Sequence, residues 1–209
     1  MPVSVEITLD DLQRRLGQAG RGAAGLSLVV PFKRVRLLLI AAAKTNFDQG
    51  QGPDGAFWAP LRWPRPRGGN KPLRDRGLLM ASLTGMGQGH VEKLTDTSLE
   101  IGSNLEYASL HQYGGTVVPR PPRRYLAIPL TVEAQRVGSA RAFPGLTARI
   151  GKRGGVLKDR SGKVQFILTK RVVVPARPFL GVGLELASKM EDVLADWLQE
   201  AIQRRLMGG

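Results

Sequence analysis

The last two dozen residues carry the clearest hydrophobic pattern in the chain. Leu186, Met190, Val193, Trp197 and Ala201 or Ile202 recur at helical spacing, and Leu194 and Leu198 widen the stripe. Glu191, Asp192, Asp196 and Glu200 populate the other face, followed by Arg204 and Arg205, the order that the helix macrodipole prefers. The pattern predicts a C-terminal amphipathic helix whose stripe packs into the core rather than onto a partner, with Leu184 on or beside it. Val35, Leu38 or Leu39, and Ala42 repeat the period after Pro31, which suits a first turn, so a second helix is expected from Pro31 to about Asn46. Leu78 to Leu83 reads as a helical turn or short helix. Asn104 is expected to cap a helix over Leu105 to Gln112, closed by Gly114 and Gly115. Near the start, Thr8-Leu9-Asp10-Asp11 has the spacing of a capping box, opening a helix to about Ala19 that Gly20 and Gly22 close.

Shorter apolar runs read as strands. His90 to Leu94 and Ser98 to Gly102 form a hairpin around Thr95-Asp96-Thr97, and Tyr125 to Leu130 is a further strand. Val164 to Val174 reads as one long strand, paired with Ala148 to Leu157. Between helix and strands, Phe47 to Asn70 reads as a long loop, because prolines at 53, 60, 64 and 66 forbid regular structure. Trp58 and Trp63 anchor it, since large aromatics pack on something. The expectation is an α+β fold: a small mixed or antiparallel sheet flanked by helices, with long loops and a basic hairpin. Residues 1–25 form an N-terminal helix and linker, and residues 26–209 a single domain with a basic hairpin insertion at about 146–174.

Composition narrows the chemistry. The chain has 209 residues and no cysteine, which removes disulfides, thiolate metal sites and cysteine nucleophiles. Its two histidines, His90 and His111, lack a metal-ligand spacing, and no carboxylates cluster, so neither metal nor cofactor is expected. No run approaches the roughly 18–20 apolar residues that cross a bilayer, and the N-terminus lacks a signal-peptide pattern. A soluble protein made in a cytoplasm, without a membrane partner, is expected.

Charge changes the picture most. The formal net charge is +14, and it is concentrated. Arg62 to Arg76 is net +5, Arg120, Arg123 and Arg124 add +3, and Arg149 to Arg171 is net +7. The excess lies in Gly/Pro-rich connections and one hairpin, not on the expected helices. Such positive charge predicts attraction to a polyanion through phosphate contacts; the alternative is solubility plus ion pairs to acidic neighbours in an assembly.

Several segments then fall into a recognisable order. Leu73-Arg74-Asp75 with Gly77, Leu79 and Ser82 follows Gly55 to Leu61, which contains Trp58 and Pro60. Ile101-Gly102-Ser103 precedes Tyr107-Ala108 and His111-Gln112-Tyr113-Gly114-Gly115. Tyr125-Leu126-Ala127-Ile128-Pro129 comes next, and Val174-Pro175-Ala176-Arg177-Pro178-Phe179-Leu180-Gly181 leads into the final helix. Read physically, Gly102, Gly114 and Gly115 offer positive φ at a strand end and after a helix. Tyr107 and His111 share one helix face. Pro175 and Pro178 keep their neighbours extended and aim Phe179 into the core. Arg177, held between them, reads as a structural linchpin, and next as an inter-subunit contact.

In order and spacing these segments resemble the virion morphogenesis (tail completion) family of tailed bacteriophages, over about Phe47 to Ile202. The resemblance implies a structural virion protein at the head–tail neck that completes the tail or joins it to the head. It implies a homo-oligomeric, commonly hexameric ring among other neck and tail proteins, made in the host cytoplasm and carried in the virion. Trp58, Asp75, Gly77, Gly102, Tyr107, His111, Gly114, Gly115, Arg177, Pro178 and Phe179 would carry assembly or structure. A ring places basic loops around passing double-stranded genomic DNA, without sequence specificity. The lumen candidates are Arg62, Arg65, Arg67, Arg120, Arg123, Arg124, Lys152, Arg153, Lys158, Arg160 and Lys163. The chain departs from a minimal member in its added N-terminal helix and its unusually basic hairpin.

A tail terminator ring is the first alternative, and a nucleic-acid-binding protein without sequence preference the second, with Trp58, Trp63, Tyr125 and Phe143 as stacking residues. An enzyme is not expected. Glu106 with His111 and Ser109 with His111 are the only suggestive pairs, and both spacings misalign on a helix.

Overall fold

The computed structural model describes residues 2–8, 10, 11, 14, 26–63, 65, 66 and 68–207. These form nine strands and five helices in α+β order, and every strand pairing is antiparallel. The chain divides into two compact units: unit 1 holds Met1–Trp58, Leu73–Tyr113 and Arg177–Gly209, and unit 2 holds Ala59–Pro72 and Gly114–Ala176.

Unit 1 begins with β1 (Val3–Thr8), a strand outside the elements expected from the sequence. It pairs with β3 (Ser98–Ser103), which also pairs with β2 (His90–Leu94), giving the order β1-β3-β2. The β2–β3 hairpin has the expected turn: Thr95 N donates to the Ser98 carbonyl at 2.8 Å. Gly102 sits in the central strand, and its role is closeness rather than positive φ, since a Cβ there would stand 2.2 Å from the Val3 carbonyl oxygen. Thr8 and Asp11 make the expected reciprocal cap. Asp11 N donates to Thr8 Oγ1 at 3.3 Å, and Thr8 N donates to Asp11 Oδ2 at 3.2 Å. Asp10, Asp11 and Arg14 are helical as expected, while the rest of the course to Ala19, and the closing glycines Gly20 and Gly22, lie outside the described residues.

Helix α1 (Val29–Gln49) starts two residues before Pro31 and runs three past Asn46. It buries Phe32, Val35, Leu39, Ala43, Asn46 and Phe47 along one stripe and stops where Gly50 turns left-handed at φ 75°. Helix α2 (Leu78–Leu83) follows Gly77, also left-handed at φ 75°. Helix α3 (Ala108–Tyr113) begins three residues later than expected, because residues 105–107 form a turn in which Ala108 N donates to the Leu105 carbonyl; Asn104 lies outside the helix. Helix α5 (Leu184–Met207) closes the chain. Leu186, Met190, Leu194, Trp197 and Leu198 are buried against Phe32, Val35 and Leu39 of α1 and Ile7, Leu99 and Ile101 of the sheet. Each such side chain is worth roughly 1.5–3 kcal/mol on burial. Leu184 was expected beside this stripe but is 94% exposed, because it is the first residue of the helix and precedes the first buried position. Ile202 is likewise exposed.

Unit 2 contains a four-stranded sheet ordered β5-β8-β7-β6, from β5 (Leu126–Pro129), β6 (Thr147–Gly151), β7 (Gly154–Lys158) and β8 (Val164–Thr169). The expected single strand from Val164 to Val174 is two. It breaks at Lys170 and Arg171, where Thr169 Oγ1 donates to the Arg171 carbonyl at 2.9 Å, and β9 (Val172–Val174) pairs with β4 (Gly115–Val117) instead. The segment Ala148 to Leu157 folds into a hairpin at Gly151 and Gly154, and its second strand, β7, makes the expected pairing with β8. Helix α4 (Val132–Val137), which the sequence reading did not include, is capped by Thr131, whose Oγ1 accepts from Ala134 N at 3.1 Å. The unit's core is small: Ala134, Phe166 and Leu168 are buried, Phe143 meets Phe166 edge-on at 5.9 Å, and buried Gln165 hydrogen-bonds the Thr131 hydroxyl.

Candidate functional site

The sequence signatures of unit 1 converge on Phe179. Its ring is fully buried, 5.8 Å from Phe47, which in turn meets Trp58 edge-on at 5.6 Å. Trp58 Nε1 donates to the Pro178 carbonyl at 2.8 Å, and Asn46 Nδ2 to the Phe179 carbonyl at 3.3 Å. Gln112 grips the same turn from α3: its Oε1 accepts from Phe179 N at 3.0 Å and Leu180 N at 3.3 Å, while Nε2 donates to the Leu180 carbonyl at 2.7 Å. Arg177 N donates to the His111 carbonyl at 2.8 Å, and the Arg177 side chain is buried. Gly183 completes the lock, since a Cβ there would lie 1.9 Å from the Pro53 carbonyl oxygen.

A second convergence joins the serine of the Leu73-to-Ser82 segment to that of Ile101-Gly102-Ser103. The buried hydroxyls of Ser82 and Ser103 hydrogen-bond at 2.8 Å. Tyr107 and His111 do share a face, with rings edge-on at 5.8 Å. Gln112 and Asn46, which carry these backbone contacts, were not singled out by sequence reasoning, as neither sits in a charged or aromatic pattern. Asp75 is exposed, and 3.9 Å from Arg76. Gly114 is left-handed at φ 74°, close against Ala176 N.

Unit 1 also pairs its charges. Arg36 Nε donates to Glu92 at 2.7 Å, and His90 contacts the same carboxylate at 3.0 Å while its other ring nitrogen lies 2.7 Å from the Ser82 carbonyl. Burial pulls the Glu92 carboxyl upward, but the hydrogen bonds from Arg36 and His90 outweigh it and leave the group below its ordinary value. Arg74 pairs with Asp48 at 2.9 Å, and Lys189 with Glu185 at 2.6 Å. A groove of about 1020 Å³ in this unit is lined by Leu38, Ala42, Pro53, Gly181 and Lys189, among others. Among the described residues no group of histidine and carboxylate side chains is arranged to hold a metal. No helix among them is long and apolar enough to cross a membrane.

All eleven lumen candidates fall in unit 2. That unit contains 17 of the 31 basic residues and two of the 17 acidic ones, a net of +15, which leaves unit 1 at −1. Arg67 lies outside the described residues. Arg65 is committed locally, its Nη1 donating to the carbonyls of Gly69 at 2.6 Å and Lys71 at 3.0 Å. Arg62 lies over the Trp63 ring at 4.9 Å, a cation–π contact that leaves its face toward water. Arg120, Arg123, Arg124, Lys152, Arg153, Arg160 and Lys163 are exposed, and Lys158 is half-buried. Apart from Arg65, Arg67 and Lys71, none of the unit's cations has a carboxylate oxygen within 4 Å among the described residues.

The two acids of unit 2 serve its own backbone. Asp159 accepts from Ser161 N at 2.9 Å, Ser161 Oγ at 2.6 Å, Lys163 N at 3.1 Å and Gln165 Nε2 at 2.7 Å. The hydrogen bonds from Ser161 and Gln165 hold its carboxyl below the ordinary carboxylate value. Glu133 sits in the first turn of α4 and is lowered by its own backbone N–H and by Lys163. Glu133 also interacts with Arg136 of its own helix, but neither acid lies within 4 Å of a cation among the described residues, so most of the unit's positive charge has no nearby carboxylate.

Comparison with curated proteins and with solved structures returns no match. The model of the phage virion morphogenesis family matches residues 7–199 of the 209, a span that takes in the Phe179 lock, the Ser82–Ser103 contact and all of unit 2. The chain belongs to the phage virion morphogenesis family, a structural family of the bacteriophage virion.

Proposed function

We propose that this protein acts at the head–tail neck of a tailed phage, completing the tail or joining it to the head. Copies form a ring, hexameric as the resemblance implies, among other neck and tail proteins. The cations of unit 2 face genomic double-stranded DNA in its channel. The observation that carries this reading is the set of exposed arginines and lysines in unit 2 that, among the described residues, lack a carboxylate within 4 Å. Moving DNA calls for phosphate attraction without base readout, and a surface of unpaired cations supplies it.

The test has two readouts. Electron microscopy of the purified protein shows closed rings if the reading holds and separate monomers if it does not. Affinity for random-sequence duplex falls steeply with salt, and replacing Arg120, Arg123 and Arg124 by alanine reduces the slope of log K against log salt by about 0.9 for each phosphate contact removed. A salt-independent affinity contradicts the phosphate-facing role. Particles lacking the protein separate the joining and terminator roles: free heads beside finished tails indicate joining, and tails of abnormal length indicate termination.

A further inference from the structure

The hairpin formed by β6 and β7 has features that phosphate attraction does not require. All five residues of β6 are exposed, including the apolar Ile150 at 58%. β6 is the outermost strand of its sheet, so its second edge carries no strand. Outer strands are usually guarded by charged side chains, proline or a covering element, and of these Thr147-Ala148-Arg149-Ile150-Gly151 carries only Arg149. Arg149, Lys152 and Arg153 line this strand and its tip, exposed and without a carboxylate within 4 Å.

A complementary surface exists on unit 1. Asp192, Asp196 and Glu200 are spaced one helical turn apart on the outer face of α5, and all are exposed. Glu200 lies 3.7 Å from Arg204, but no cation lies within 4 Å of Asp192 or Asp196 among the described residues.

We propose that the β6–β7 hairpin is a docking surface for a second copy of this chain and seats along the Asp192–Asp196–Glu200 face of that copy's α5. The inference rests on the ring reading above and assigns it a contact. Because the two surfaces differ, the contact is heterologous, the kind that propagates head to tail and forms a ring when its rotation closes. The arginines of residues 119–124 and Arg62 then remain for DNA.

Two variants of the full chain test it, Arg149→Glu/Lys152→Glu/Arg153→Glu and Asp192→Lys/Asp196→Lys, read by sedimentation velocity at low and high salt. The wild type associates, less so at high salt. Each variant alone stays monomeric with an unchanged melting temperature, and an equimolar mixture associates again, since the reversed hairpin meets the reversed helix and the native hairpin of the helix variant meets the native helix of the hairpin variant. If either reversal lowers the melting temperature, Asp192→Asn/Asp196→Asn replaces the helix variant and is expected to weaken association at least tenfold. Wild-type-like association of the variants, or a mixture that stays monomeric, overturns the contact while leaving the ring reading in place. A hairpin variant that loses duplex binding yet associates normally assigns the hairpin to DNA instead. A wild type that never associates removes both.

Discussion

Unit 1 carries 14 of the basic residues and 15 of the acidic ones and pairs many of them, while unit 2 carries 17 and two and leaves most of its cations without a nearby carboxylate. Their cores differ in the same sense. Unit 1 buries two continuous hydrophobic clusters under two long helices, whereas unit 2 buries little beyond Phe166, Leu168 and Ala134. Self-repulsion among like charges opposes compactness. A small core burdened with a net charge of +15 is what the proposed DNA-facing role would require. The local devices of unit 2, the Asp159 turn and the Thr131–Gln165 bond, are what hold its backbone in spite of the charge.

This contrast can be broken most directly in the core of unit 1. Trp197→Asp is expected to unfold the protein, because it adds a buried unpaired charge to a truncation that alone costs about 3–5 kcal/mol. Leu184→Asp, thirteen residues earlier on the same helix, is expected to change stability by less than about 0.5 kcal/mol, since the side chain is already in water. Denaturant titration of the two variants checks both, and equal losses would show that the helix faces are misassigned. Gly102→Ala forces a methyl group against the Val3 carbonyl and is expected to cost about 1–3 kcal/mol. In unit 2, Thr131→Ala removes the cap of α4 and its bond to Gln165, with an expected cost of about 1 kcal/mol. Neutralising Arg120, Arg123 and Arg124 is expected to leave melting unchanged or raise it slightly while reducing duplex affinity.

The smallest effect is in pH. Glu92 and Asp159 have folded-state values below their ordinary 4.5 and 3.8. Their contributions are thus present above those values and lost as pH falls through the lower folded ones. Glu92→Gln is expected to flatten the acid limb of the stability profile below about pH 4.5, measured by thermal melting across pH 2–6.

Much of unit 1 was legible in the sequence because period and position agree there. The stripe of α5, the β2–β3 hairpin and the Thr8 cap were all stated by local pattern. The strand β1 was legible too, since Val3, Val5 and Ile7 alternate with Ser4, Glu6 and Thr8, yet its two-residue period was passed over beside the stronger cap signal. The break at Lys170 was not legible: a run of alternating and β-branched residues does not say which of two sheets each end joins. The concentration of charge was visible as three runs along the chain. That residues 59–72 join 114–176 in one unit depends on tertiary pairing, which no local pattern encodes. Gln112 and Asn46 escaped notice for a related reason, since they bond backbone far away in sequence.

The central claim is that unit 2 faces DNA when copies are assembled. The chain has no cysteine, so a single one introduced at Arg123 in unit 2 or Thr97 in unit 1 carries a photo-crosslinker to one place. In rings formed with duplex DNA, the Arg123→Cys protein is expected to crosslink to the DNA and the Thr97→Cys protein is not. Crosslinking from Thr97 alone, or equally from both, contradicts the account.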